Sequence, residues 1–178
     1  MTLTGMIRIG AILGAAALVI AASPYAGLEK RSIKALSPER IAALESGSGA
    51  GYALAAELNG YPGPRHVLDL ADALKLTPAQ RDKTAALFAE MRQGAVALGR
   101  ELIRQEAKLE KLFRDGGAGE ATLTQRTAEI GATEARLRAT HLKYHIRMAG
   151  FLTDAQRAAY NSLRGYENTG SGHTGHRH

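Results

Sequence analysis

Between residues 77 and 114 the apolar and small positions Leu87, Met91, Gly94, Leu98, Leu102, Leu109 and Leu112 are separated mostly by steps of three and four. That spacing predicts a long helix burying one narrow seam. A second run repeats it, through Leu123, Thr127, Ile130, Glu134, Leu137, His141, Tyr144, Met148 and Phe151. Between them, Asp115-Gly116-Gly117-Ala118-Gly119 is too rich in glycine to carry the helix on and predicts a turn. Two long seams joined by a short turn are buried only by packing antiparallel. The expected fold is therefore all-α, a long antiparallel helical hairpin of about 77–114 and 120–151 with short flanking helices.

The helix starts are written in the sequence. Thr77-Pro78-Ala79-Gln80 has a capping hydroxyl, a proline at the first helical position and a glutamine that reaches back to the cap. Thr153-Asp154-Ala155-Gln156 repeats the box and opens a short last helix to about Leu163. Ser37-Pro38-Glu39 predicts another start, with a helix to about Glu45 that Gly47 to Gly51 breaks. Two more short helices are expected, from Tyr52 to Leu58 and from Arg65 to Leu74, separated by the turn Asn59 to Pro64. From Glu167 onward the chain is Gly, Ser, Thr and His, and disorder is expected there.

Ahead of these, Arg8 precedes the uncharged run Ile9 to Ala22. One basic residue before such a run reads as a secretory signal, over about residues 1–26. The alternative is an uncleaved N-terminal anchor, because Pro24 sits awkwardly for cleavage. The remaining organisation is then an N-terminal extension over 27–64, a hairpin domain over 65–166 and a histidine-containing tail over 167–178.

Composition narrows the function. The 178 residues carry a net charge of +6, but the arginines alternate with glutamates, as on solvated helix faces, and an exported protein does not meet nucleic acid. Cysteine is absent, which excludes disulfides, thiolate metal sites and cysteine nucleophiles. No phosphate-binding glycine loop, His-Glu-x-x-His or local Ser/His/Asp set is present, and a thin hairpin is expected to offer no deep pocket. The protein is read as not an enzyme.

The candidate chemistry is metal binding. His141 and His145 are one turn apart, and Met148 falls on the same helix face. Imidazole and thioether suit a divalent transition metal (zinc, copper, nickel or cobalt) better than calcium or magnesium. A turn centred near Gly117 sets His141 opposite Met91 or Arg92 and His145 opposite Phe88, so Met91 is a candidate ligand from the other arm. His66 is a further candidate. His173, His176 and His178 form a second, looser set in the tail. Against this stands the simpler reading of His141 and Met91 as packed seam residues.

The boxes Leu76-Thr77-Pro78-Ala79-Gln80 and Leu152-Thr153-Asp154-Ala155-Gln156, one before each of two helices of such a hairpin, resemble the LTxxQ family of periplasmic proteins. That family includes the Spy and CpxP chaperone and stress-modulator proteins and the ZraP and CnrX heavy-metal binding or sensing proteins. The similarity covers about Arg65 to Tyr166, and the stretch from Ile33 to Pro64 resembles the extension of the metal-sensor branch. The resemblance implies a cradle-shaped hairpin, often a homodimer, and no catalysis. It also implies histidines and a methionine in a metal site, although this chain lacks the pattern of a histidine followed by methionine four residues on. The expected function is a non-enzymatic heavy-metal binding, sensing or resistance accessory protein of the envelope stress response. The alternative is an ATP-independent chaperone of unfolded envelope proteins. A membrane sensor protein is a further expected partner.

Overall fold

The computed structural model describes residues 23–166. Among them six α-helices follow a 3₁₀ turn at Leu28–Lys30: α1 Pro38–Ser46, α2 Leu54–Glu57, α3 Pro64–Asp69, α4 Pro78–Arg114, α5 Glu120–Phe151 and α6 Asp154–Leu163. The α4–α5 hairpin has the expected bounds. The short helices α2 and α3 are shorter than expected, and the chain passes from α3 to α4 through turns, with Lys75 in the left-handed region. No helix among the described residues is long and apolar enough to cross a membrane. The expected signal or anchor lies outside the described residues except for its last four, and so does the tail from 167 on.

Both boxes form as written. Thr77 accepts from Gln80 N and Gln80 Oε1 from Thr77 N, and Thr153 and Gln156 do the same. The two glutamines then meet: each Nε2 donates to the other's Oε1 at 3.0 Å, and Gln156 Nε2 also donates to the Leu74 carbonyl. The motif therefore caps two helices and ties their starts together, although 76 residues separate them. Thr77→Ala is expected to cost about 1 kcal/mol, and Gln80→Ala more, because it also strands the Gln156 amide. The urea midpoint measures both.

The arms pack in the expected register. Tyr144 donates to Glu90 Oε2 at 3.3 Å, and a Cβ on Gly94 would meet Thr140 at 3.4 Å. The buried stripe of α4 differs from the expected seam. It runs Thr84, Leu87, Met91, Ala95, Gly99, Leu102, Gln105, passing through 95 and 99 rather than 94 and 98. The reason is a second partner: α1 lies on α4, and only small side chains let it come close. A Cβ on Gly99 would fall 2.3 Å from the Leu44 carbonyl oxygen. On α5, Thr133 is buried and Glu134 is exposed.

The extension shares its core with the hairpin. Ile33, Leu36, Leu44 and Tyr52 pack with Ala95, Leu102 and Leu137. A second cluster joins Val67, Leu74 and Leu76 to Leu87, Met91, Tyr144, Met148, Leu152 and Tyr160. Beyond Gln105 this support thins to Ala107 and Ile130 at the edge of the first cluster and a Lys34–Glu110 ion pair. From residue 106 to 132 none is buried; Leu109, Leu112, Leu123 and Ile130 are only half-covered, and Phe113 is 58% exposed.

Candidate metal centre

Because the extension folds over the hairpin, the expectation of no deep pocket is overturned. A cleft of about 650 Å³ opens between the segment 46–66 and the two arms. His66, Met91, His141 and His145 all line it. Helical spacing puts the two imidazoles on one face of α5, and the hairpin register brings Met91 across from α4. Met148 does not line the cleft. Three residues beyond His145 on α5, it is fully buried in the cluster around Tyr144 and Tyr160. His66 sits at the rim, its side chain 43% exposed and its Nδ1 3.6 Å from Asp69. The tail candidates His173, His176 and His178 lie outside the described residues.

His141 is 2% exposed, and its Nε2 is buried without a hydrogen-bond partner. Tyr52 stacks on it, ring centres 5.9 Å apart and planes within 11° of parallel. Arg40 in turn lies 4.6 Å from the Tyr52 ring centre and donates to its hydroxyl. Burial, and then the neighbouring His145, lower the His141 pKa to about 4, so the ring is neutral at ordinary pH and keeps a lone pair.

His145 is oriented by the extension. Its Nδ1 lies 2.7 Å from the Tyr61 carbonyl oxygen. A carbonyl only accepts, so Nδ1 donates, and in the neutral ring Nε2 is the nitrogen left with the lone pair. The same kind of outer hydrogen bond fixes the tautomer of metal-bound histidines. A Cβ at Gly63 would sit 2.8 Å from His145 Cε1 and 3.0 Å from Nε2, so the turn crosses the ring closely only because residue 63 has no side chain.

Two contributors were not visible in the sequence. Glu57 is buried, accepts from the Tyr160 hydroxyl, and lies 3.5 Å from Arg164 Nε and 3.6 Å from His145 Nδ1. Burial and the Glu57 hydrogen bond push the Tyr160 hydroxyl pKa up, which keeps it a donor. Glu57 and Tyr160 are 103 residues apart, and no local pattern links them. Tyr52, the stacking partner of His141, likewise follows a glycine-rich break with nothing to mark its role.

Among the described residues no group of three or more His, Asp or Glu side chains is placed to hold a metal ion. What the cleft offers is two neutral-capable imidazoles from one helix and a thioether from the other, under a rim of Arg65, Arg92 and Arg164.

A family model described as LTXXQ motif family protein matches residues 64–164. No curated protein and no solved structure matches the chain. The match takes in both boxes and α3 to α6. It leaves outside the segment whose Ser46 to Gly51 and Glu57 furnish the other wall of the cleft, and Tyr52, which stacks on His141.

Proposed function

As the chain belongs to the LTXXQ motif family, whose members are typically periplasmic and non-enzymatic, we propose that it is a periplasmic metal-binding protein of envelope stress or metal resistance. Its cleft takes one transition-metal ion on His141 and His145, with Met91 as the third protein ligand and His66 at the rim. The observation that carries this reading is the His141 Nε2, buried in the cleft wall with no partner. An orphaned buried polar atom costs about 1–3 kcal/mol, and a cation at this position removes that cost. Two nitrogens and a sulfur favour copper, nickel, cobalt or zinc over magnesium or calcium.

Electron paramagnetic resonance of added copper(II) tests the ligand set. The expected spectrum shows coupling to two imidazole nitrogens, which disappears in the His141→Ala, His145→Ala double variant. An unchanged spectrum in that variant would place the metal elsewhere.

The distal arm supports a second reading. Between residues 106 and 132 half-covered leucines and the exposed Phe113 alternate with arginine, lysine and glutamate. Such a face suits weak, salt-sensitive contact with an unfolded client, or with a second copy of the chain. Suppression of client aggregation that weakens with salt and ignores metal supports the chaperone reading; no suppression at equal concentration sinks it.

A further inference from the structure

The cleft is far larger than its protein ligands need. At about 30 Å³ per water in the liquid, 650 Å³ holds much more than an ion and its remaining waters, and the volume falls in the range of small-molecule sites. The ligands proposed for the ion are also too few to close a coordination sphere: two imidazoles and one thioether, with His66 out at the rim and no cluster of three or more His, Asp or Glu side chains among the described residues placed to hold a metal. The polar lining carries three guanidinium groups, Arg65, Arg92 and Arg164, against the single carboxylate of Glu57. Glu57 is already held by Tyr160 and Arg164, and Arg65 by Asp69. Arg92 is different. Its Nε donates to the Ser46 carbonyl, and among the described residues it pairs with no carboxylate. Phe88, next to it on the lining, supplies an apolar wall.

These features together describe a site for a metal that arrives with a ligand of its own. We propose that the cleft binds its ion as a chelate with a small α-amino acid, whose amine and carboxylate complete the coordination while the free carboxylate oxygen accepts from Arg92 and the side chain lies on Phe88. This rests on the metal reading above. An amine nitrogen suits the same borderline metals that imidazole selects, and a guanidinium is the usual partner of a carboxylate where geometry matters. The open cleft admits the complex whole, whereas a site built for a bare ion closes around it.

The test is equilibrium dialysis of the full chain, with its three tail histidines replaced by alanine, against copper(II) alone and against copper(II) with isotopically labelled L-valine. The expected result is retention of metal in both arms, with one label held per metal in the second. Arg92→Gln keeps a donor for Ser46, and Arg65→Gln leaves that bond untouched. Arg92→Gln is expected to lower label retention about tenfold without changing retention of copper alone; Arg65→Gln, already paired, is expected to have a smaller effect in the same direction. Copper stripped from the protein by valine, metal retained without label, or label held equally by both variants overturns the inference and leaves the metal reading standing. No retention of copper in either arm overturns both.

Discussion

Gly99→Ala is expected to destabilise the protein by about 2 kcal/mol, and Gly99→Val by more, in urea or thermal unfolding. The cause is contact with backbone, not with a flexible side chain. A methyl group at residue 99 would stand 2.3 Å from the Leu44 carbonyl oxygen, 2.9 Å from its carbonyl carbon and 3.1 Å from its Cα. The whole of α1 has to retreat, and with it the packing of Leu44 against Leu102 and Leu137. Helix propensity works the other way, since alanine is better than glycine in a helix interior by about 1 kcal/mol; the steric cost exceeds it. The control is Gly131→Ala on α5, where a Cβ would meet nothing within 4 Å. There only the propensity acts, and the variant is expected to be more stable by about 0.5–1 kcal/mol. The same substitution thus changes sign between two helical glycines. Equal effects at both would contradict the close approach of α1. Because α1 leads into the 46–51 segment of the cleft wall, Gly99→Ala is also expected to weaken metal binding.

Metal-free protein is expected to lose stability steeply on acidification, and most of the excess traces to His141. Unfolded, this imidazole takes a proton below about pH 6.5; folded, it refuses one until about pH 4. Between those values the unfolded state binds more protons, so acid favours unfolding. The contribution is complete above pH 6.5, declines as pH falls toward 4, and is gone below that. A separation of that size corresponds to about 3 kcal/mol. Carboxylates titrate in the lower part of the same window, so the informative quantity is a difference. In EDTA, His141→Leu is expected to show a stability–pH curve flatter by about that amount between pH 7 and pH 4. Parallel curves would mean that the folded ring takes its proton over the same pH range as the unfolded one, and would contradict its burial as an uncharged imidazole without a partner.

The hairpin was legible because its determinants are local. Each box specifies its own helix start through hydrogen bonds over three residues, and the glycines at 116, 117 and 119 stop α4 where the turn is needed. Even the register follows from the turn, which sets Met91 near His141. The fold of the extension onto the hairpin was not legible. It depends on contacts such as Glu57 with Tyr160 and Gly99 with Leu44, which are distant in sequence and leave no periodic trace. That one omission explains the others. The expected seam of α4 ran through Gly94 and Leu98, when Ala95 and Gly99 are the buried positions, where α1 lies on the helix. The short helix expected from Tyr52 to Leu58 carried no sign that Tyr52 stacks on His141 or that Glu57 lies beside His145. Met148 shares a helix face with the histidines, but α3 and α6 close over it, so it serves packing. The pocket itself was invisible, because a hairpin alone has none.

Calorimetric titration of copper, nickel, cobalt and zinc into two forms of the chain tests the cleft most directly. One form has His173, His176 and His178 replaced by alanine; the other has His141 and His145 replaced. The account predicts that the first still binds one ion per chain with micromolar or tighter affinity for at least one of these metals, and that the second does not bind at the cleft. Binding that vanishes with the tail histidines and survives loss of His141 and His145 would contradict it.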